Sequence, residues 1–376
     1  MKQSQAKRNL QFETKRIIRE RSQSSAFLSK NQTINADKPM SVADNNKIFP
    51  FQTSIAYINK NGILFHADCL DVLSGIKSKS IDLVFTDPPF NLGKDYDTMA
   101  YTDKMSAEFY KSWCHIWMNE LVRVLRPGGS LAIYSWPKWV IEVGSQLHTI
   151  PVLEYRSLIS LKMKSGFPIR GRIHPSNYCI IYYVKKGAKA TFNVVRYRTP
   201  ICRHCGKEIR DYGGYRSKFE RFEDDDGIPW VQISDFWEDT RSARQDKSRK
   251  SKINELPIHI PERIILMASN KKDVVLDIFG GGGSTYQAAQ MHDRFWIGCE
   301  IGNIEPCLSR FATIWNKEEE NTPSRKIAKC FKPKYLNHLL EKRRSQNLFP
   351  IRDVKPLTNG DLLKKNVLSK SRVIGF

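Results

Sequence analysis

The sequence contains no run of about 18 or more apolar residues, so it predicts no membrane-spanning helix. Its first residues also lack the apolar segment that follows the basic start of a secretory signal. The eight cysteines are scattered along the chain, which is typical of reduced thiols and not of a disulfide framework. These absences exclude a membrane protein or a disulfide-rich secreted domain, and we expect a cytoplasmic protein.

Acidic residues are too few to balance the basic ones, with 39 against 61 and a net charge of +22. Residues 51–137 and 251–316 each have a net charge of −1, whereas 1–50, 138–250 and 317–376 carry +6, +9 and +9. A neutral body with basic attachments is typical of proteins that bind phosphate groups. Solvated tails are the alternative, above all for the polar N-terminal residues, whose composition predicts disorder.

The apolar patterns predict an α/β sheet with helices on both faces, because strands alternate with helices along most of the chain. At 376 residues the chain has room for one large domain with an insertion, or for two domains. The strands are expected near 62–67, 81–86, 130–135, 154–161, 178–184, 274–279 and 295–300. The helices are expected near 104–125, 260–269, 284–292 and 304–316, with a basic helix from Leu336 to Arg344.

One predicted strand, 81–86, ends in the tetrapeptide Asp87-Pro88-Pro89-Phe90. Prolines fix φ and have no backbone N–H, so this turn forms a rigid edge that offers only acceptors. The carboxyl ends of strands are where open α/β sheets bind ligands. The turn is therefore suited to holding a planar amino group, although a strand that merely ends in a proline-rich turn is the simpler alternative.

A second predicted strand, 274–279, runs into four consecutive glycines, Gly280 to Gly283. Glycines let the backbone approach a ligand closely, and the following Ser284 and Thr285 could supply a helix N-cap. Glu300 ends the next strand, 23 residues after Asp277. An acid at that point is the usual partner of a ribose diol in nucleotide-binding folds, so the series predicts a nucleotide-type site.

The two motifs together resemble the β class of DNA amino-methyltransferases that depend on S-adenosylmethionine. Asp-Pro-Pro-Phe is similar to the catalytic motif of that family, and Asp277-Ile-Phe-Gly-Gly-Gly-Gly is similar to its cofactor motif. The catalytic motif comes first along the chain, as in the β class. The resemblance extends from about Ile63 to Trp315.

The resemblance implies a Rossmann-like, mostly parallel seven-stranded sheet with permuted motif order and an inserted target-recognition segment. It implies S-adenosyl-L-methionine as cofactor and a base of duplex DNA, flipped out of the helix, as substrate. The catalytic residues are then Asp87, Pro88, Pro89 and Phe90. The residues expected at the cofactor are Asp68, Asp277, Phe279, Gly280, Gly282, Ser284, Thr285 and Glu300, with Asp68 at the adenine.

The base stays open between two amines. Both N6 of adenine and N4 of cytosine suit this geometry, because each is an exocyclic amine. Within the family, an aspartate in the first motif position is commoner in adenine enzymes, so Asp87 favours adenine. Phe90 stands where tyrosine is more usual; it keeps stacking on the base but has no hydroxyl. The resemblance also makes a prokaryotic, nucleoid-associated restriction–modification role the default, with a cognate endonuclease and a homodimer as further expectations.

The chain divides, on this reading, into five parts. These are an N-terminal extension at 1–50, a catalytic half at 51–185, a target-recognition segment at 186–255, a cofactor-binding half at 256–316 and a basic tail at 317–376. Apolar periodicity fails between 186 and 255, where Arg and Lys occur throughout and are interleaved with Tyr, Phe and Trp. We therefore expect DNA contacts from this segment.

Other readings compete for some of these features. Cys202 and Cys205 are candidates for a zinc site, but the chain has no second such pair, so a simple turn is favoured. A nicotinamide-dependent dehydrogenase would also need a glycine-rich turn and an acid, but leaves Asp-Pro-Pro-Phe unexplained. A non-catalytic nucleic-acid-binding protein and an RNA amino-methyltransferase are the remaining alternatives.

Overall fold

The structure is a computed structural model. It describes residues 53–93, 105–162, 170–171, 173, 176–198, 204–206, 222–223, 229–237, 256–314, 322–345 and 374–375. The N-terminal extension, most of segment 186–255 and most of the tail beyond 345 therefore lie outside the described residues. Within them, no helix is long and apolar enough to cross a membrane.

The centre of the fold is a mixed sheet of nine strands, ordered β1-β2-β12-β11-β3-β4-β6-β5-β10. The strands β2, β12, β11, β3 and β4 are mutually parallel, whereas β1 and β6 run antiparallel to their neighbours. The strand bounds are β1 Ser54–Asn59, β2 Gly62–His66, β3 Ile81–Thr86, β4 Leu125–Ser135, β5 Leu153–Lys162, β6 Asn177–Lys185, β10 Phe236–Trp237, β11 Val274–Asp277 and β12 Phe295–Glu300.

A second sheet is small and antiparallel, in the order β13-β7-β9-β8. Three of its strands lie in segment 186–255: β7 Val195–Arg198, β8 Phe222–Glu223 and β9 Pro229–Gln232. The fourth, β13 Ile374–Gly375, comes from the C-terminal tail and pairs with β7.

Helices cover both faces of the large sheet, as predicted. Their bounds are α1 Cys69–Gly75, α2 Ala107–Val124, α3 Pro137–His148, α4 His259–Ala268, α5 Ser284–Met291, α6 Glu305–Ile314, α7 Arg325–Cys330 and α8 Pro333–Ser345. Helices α4, α5 and α6 pack on one face, and α2 and α3 pack on the other. Helix α8, the predicted basic helix, packs along β1, where Arg343 donates to the Ile55 carbonyl.

All seven predicted strands are present, and the α/β class is confirmed. The predicted strand count was too low, because β1 and the two-residue β10 extend the sheet at its edges. Strand β3 is buried at all six positions, which explains why its sequence shows no regular alternation of apolar and polar residues. The short helices α1 and α7 and the helix α3 were missed; a proline at the first position of α3 was a start signal that could have found it.

Candidate active site at the carboxyl edge of the sheet

The carboxyl ends of the parallel strands bring the predicted acids to one edge of the sheet. Glu300 ends β12, Asp277 ends β11, and Asp87 directly follows β3. These three strands lie next to one another in the sheet in that order. Chain direction diverges between β11 and β3, since β11 continues through α5 to β12 and β3 continues through α2 to β4. Such a switch point opens a crevice outside the strand ends, where ligands bind in open α/β sheets.

A turn that contains four glycines, which we call the glycine turn (residues 278–283), lies on one side of this switch point. Glu300 holds it: the Gly281 N–H donates to one carboxylate oxygen at 2.7 Å and the Gly302 N–H to the other at 2.6 Å. Both bonds involve a charged acceptor and are therefore stronger than ordinary backbone bonds. Each oxygen keeps acceptor capacity for a further donor, such as a hydroxyl of a ribose.

The N-cap of α5 differs from the prediction. Ser284 and Thr285 are the first two helical residues, and the cap position is Gly283, with φ of +78° and no side-chain cap bond. Only glycine adopts this left-handed conformation at little cost. Thr285 instead hydrogen-bonds to Asp277, beneath the turn.

Asp277 is a buried acid, with 2% of its surface exposed. Burial raises the pKa of its carboxyl to about 6, while hydrogen bonds from Thr285, the Phe279 N–H and Thr86 act in the opposite direction. The Thr86 hydroxyl lies 3.0 Å from the Asp277 carboxylate. Because Thr86 ends β3, this bond joins the two strands that flank the switch point.

Asp68, the acid expected at the adenine, follows β2 at the same edge. Its carboxylate accepts from the Leu70 N–H at 2.8 Å and so caps α1. The neighbouring Ala67 N–H donates to the Glu300 carbonyl at 3.0 Å, so β2 and β12 stay paired up to this point. Asp68 and Glu300 are therefore neighbours at the rim of the crevice.

The glycine turn fits S-adenosylmethionine, the cofactor implied by the resemblance. A Cβ on Gly280 would collide with the Tyr286 hydroxyl, and one on Gly283 would lie 3.0 Å from the Cys307 sulfur. At Gly281, by contrast, a Cβ would meet no described heavy atom within 4 Å. The turn thus has one bare backbone face, at Gly281, and it lies beside two acids that suit a diol and an amino group.

The proline turn (residues 87–90) lies on the other side of the switch point. The Tyr110 hydroxyl donates to the Pro89 carbonyl at 2.7 Å. Asn91 donates to the Met105 carbonyl at 3.0 Å and accepts from the Met105 N–H at 2.6 Å. The turn is therefore held by Tyr110 of α2 and by Met105, which lies two residues before that helix begins.

Two tyrosines beside the proline turn were missed at the level of sequence. Tyr134 of β4 and Tyr178 of β6 form a cluster with Phe90, with ring centroids 5.2 to 6.0 Å apart. Burial, and then the nearby Asp87 carboxylate, raise the pKa of both tyrosines. Both lie at the ends of predicted strands, and that position was a signal, but their side of the sheet depends on the pairing of β4 with β6.

The structure does not bring the candidate zinc ligands from the sequence, Cys202 and Cys205, to this edge of the sheet within the described residues. Cys205 is exposed and Cys202 lies outside the described residues. The described part of the chain contains no group of three or more His, Cys, Asp or Glu side chains able to hold a metal ion.

Segment 186–255 contacts the large sheet and α4. Arg263 of α4 is buried, and its guanidinium carbon lies 5.7 Å from the centroid of the Tyr197 ring and 5.2 Å from that of the Trp237 ring. A cavity of about 560 Å³ lies nearby, lined by Tyr182, Phe192 and Trp237 among others. It is on the face of β5 and β6, away from the switch point.

Known proteins resemble this chain over the range that contains both turns. A family model described as DNA methylase, the N6/N4 methyltransferase family, matches residues 81–305. The matched range contains the proline turn, the glycine turn and the segment between them.

Curated relatives match over a similar range. The chain is 40% identical over 288 residues to the type II methyltransferase M.BamHI of Bacillus amyloliquefaciens, covering 77% of this chain and 65% of that one, just under two thirds. It is 29% identical to the type II methyltransferase M.HpaI of Haemophilus parainfluenzae, covering 67% and 75%.

Solved structures are more distant. The chain of PvuII DNA methyltransferase (cytosine-N4-specific) has a TM-score of 0.46 and 17% identity, with 66% of this chain and 84% of that one covered. The family model spans more than half of the chain. The chain therefore belongs to the N6/N4 family of S-adenosylmethionine-dependent DNA methyltransferases.

Proposed function

We propose that this protein is a site-specific DNA methyltransferase that transfers a methyl group to N6 of a flipped-out adenine in duplex DNA. The observation that carries the proposal is the placement of Asp87 one strand away from Asp277, across the switch point, with three aromatic rings beside it. In this proposal the amine acceptor and the glycine turn serve one crevice, because the strands that precede them are neighbours.

The glycine turn is the proposed cofactor site. The Glu300 carboxylate would accept hydrogen bonds from the ribose hydroxyls, and Asp68 would contact the adenine ring. The other proposed contacts are Asp277, Phe279, Gly280, Gly282, Ser284 and Thr285. When bound, S-adenosylmethionine supplies an electrophilic methyl group on a positively charged sulfur.

Asp87 and Pro88 would prepare the amine. The lone pair of an exocyclic amine is delocalised into the ring, so the nitrogen is a poor nucleophile. The Asp87 carboxylate and the Pro88 carbonyl can each accept one of its two N–H groups, which turns the lone pair out of the ring plane. The nitrogen loses a proton only after it gains the methyl group, so catalysis rests mainly on position and electrostatics.

The aromatic cluster would hold the flipped base. Phe90 offers a ring face for stacking, and Tyr178 and Tyr134 extend the apolar wall around Asp87. Stacking on an aromatic ring contributes on the order of 1–3 kcal/mol per base. This contribution helps to offset the cost of taking the base out of the duplex.

Sequence recognition is assigned to segment 186–255, which lies between the two halves of the site along the chain. Its basic and aromatic composition suits contacts to phosphates and bases. The type II names of the relatives support a restriction–modification role with a paired endonuclease. A homodimer remains a prediction, which sedimentation of the pure protein would test.

Adenine is proposed over cytosine for two reasons. Asp87 occupies the first position of the motif, where adenine enzymes of this family more often have aspartate. A relative that is 25% identical, YhdJ of Escherichia coli, is named a DNA adenine methyltransferase. The paired acceptors themselves suit N4 of cytosine equally well.

The test is methyl transfer from labelled S-adenosylmethionine to duplex DNA, followed by digestion to nucleosides. We expect labelled N6-methyladenine, loss of label in Asp87→Ala, and wild-type labelling in Glu108→Gln, which changes an exposed acid in the first turn of α2. Label in N4-methylcytosine would overturn the choice of base. Label only in structured RNA would overturn DNA as the substrate.

A further inference from the structure

One side of α2 carries three buried aromatic residues, Tyr110, Trp113 and Trp117, which we call the aromatic row. Their spacing of three and four residues aligns them along the helix. Neighbouring ring centroids lie 5.7 Å and 5.9 Å apart. Such a row is ordinarily part of a hydrophobic core, but here its two ends contact different parts of the active site.

The first end of the row holds the proline turn. Pro88 and Pro89 have no N–H, so neither can anchor the turn by donating a hydrogen bond. Tyr110 supplies the bond instead, to the Pro89 carbonyl at 2.7 Å. The Tyr110 ring is packed between Trp113 and Trp139, so its hydroxyl has little freedom to follow a displaced turn.

The second end of the row holds the glycine turn. The ring of Phe279 lies 5.5 Å from Trp113 and 5.5 Å from Trp117, with an edge-to-face arrangement on the latter. Phe279 is the second residue after Asp277 and directly precedes the glycines. Trp113 therefore contacts both Tyr110 and Phe279, and so connects the two turns.

We propose that the aromatic row sets the separation between the proline turn and the glycine turn, with Tyr110 as a positioning residue for methyl transfer. The proposal rests on the function proposed above. Both turns project beyond the ends of β3 and β11, so strand pairing alone does not fix the distance between them. Methyl transfer depends strongly on that distance, since an error of about 1 Å can cost about 100-fold in rate.

The first test is the substitution Tyr110→Phe, which removes the hydroxyl and keeps the ring. We expect the single-turnover transfer rate, at saturating cofactor and DNA, to fall about tenfold or more. The dissociation constant for S-adenosylmethionine, measured by calorimetry, should stay within about twofold of wild type. The control is Phe109→Leu, which lies off the row and should keep the wild-type rate.

A second test needs no methyl transfer. Because Trp113 and Trp117 contact the glycine turn, adding S-adenosylmethionine to the wild type should change the tryptophan fluorescence. In the double variant Trp113→Phe, Trp117→Phe most of this change should disappear. Trp136→Phe, at a tryptophan outside the row, should keep it.

The outcomes separate the two proposals. A wild-type protein that labels no nucleic acid overturns the proposed function. The fluorescence experiment then tests, on its own, whether the aromatic row is linked to the glycine turn. Transfer at the wild-type rate by Tyr110→Phe overturns the positioning role. An unchanged fluorescence response in the double variant overturns the link between α2 and the glycine turn. A loss of both rate and cofactor affinity in Tyr110→Phe would show a general structural role instead.

Discussion

The proline turn and the glycine turn end adjacent strands of one sheet, yet they are held in opposite ways. The glycine turn is held through its own backbone donors, such as the Gly281 N–H on Glu300. The proline turn has no donors at Pro88 and Pro89, and a side chain of α2 reaches its carbonyl instead.

Because the two turns are held by different groups, the two halves of the site can be perturbed separately. Acids beneath and beside the glycine turn control the shape of the proposed cofactor site. Residues around the proline turn control the positions of the proposed amine acceptors. We therefore expect changes on the first side to affect cofactor binding and stability, and changes on the second to affect transfer.

The largest expected effect on stability concerns Asp277, which lies under the glycine turn. Its pKa in the folded protein, about 6, is above the ordinary value of 3.8, so the folded state binds this proton more tightly than the unfolded state. The resulting stabilisation is fully present below pH 3.8 and is lost as the pH rises through about 6. It amounts to about 3 kcal/mol of unfolding free energy.

Asp277→Asn should remove this pH dependence and keep an oxygen that accepts from Thr86. We would measure the free energy of unfolding of both proteins by urea denaturation at several pH values between 4 and 7. The value for Asp277→Asn minus the value for wild type should increase as the pH rises. Asp293→Asn, at an exposed acid paired with Lys271, is the control and should show no such trend. Parallel curves for wild type and Asp277→Asn would contradict the buried, proton-binding state.

Glu300→Ala should weaken cofactor binding. The substitution leaves the Gly281 and Gly302 N–H groups without their charged acceptor, and each such bond contributes about 1.5–3 kcal/mol. We expect the dissociation constant for S-adenosylmethionine to rise about 10- to 100-fold by calorimetry. Glu305→Ala, at an exposed glutamate on α6, should bind as wild type. Wild-type affinity in Glu300→Ala would exclude Glu300 from the cofactor site.

The smallest effects distinguish two glycines of the same turn. Both Gly281 and Gly283 have a positive φ, which costs an alanine about 1–2 kcal/mol. Gly283→Ala should also press on the Cys307 sulfur and lose more stability, as measured by thermal unfolding. Gly281→Ala should lose less stability but bind S-adenosylmethionine more weakly, because its methyl group would occupy the open space in which we propose that the cofactor lies. Equal cofactor affinities in the two variants would contradict this assignment of the bare face.

Sequence alone located the two turns well. Asp87, Asp277 and Glu300 were each placed at a strand end by the apolar runs before them, and parallel strands bring such ends to one edge. The positions of seven strands along the chain were recovered for the same reason. The buried sequence of β3, with no polar alternation apart from Asp82, was the clearest signal.

The contacts between elements could not be predicted in the same way. Tyr134 and Tyr178 meet Phe90 because β4 and β6 pair in a particular antiparallel register, which local sequence does not specify. The N-cap of α5 was misplaced by one residue because a left-handed glycine, and not a serine side chain, begins the helix. The spacing of the aromatic row is helical and can be seen in the sequence. Its two partners, the Pro89 carbonyl and the Phe279 ring, lie in turns that are distant along the chain and could not be found in this way.

The most direct test of this account compares Asp87→Asn and Glu300→Ala in one experiment, with cofactor affinity from calorimetry and single-turnover transfer at saturating cofactor. We expect Asp87→Asn to keep its affinity within about twofold and to lose about 100- to 1,000-fold in rate, the size expected for one preorganised charged contact. Glu300→Ala should show the reverse, with a rate within about threefold of wild type once the cofactor saturates. If both variants lose rate and affinity to the same extent, the division of work between the two turns is wrong.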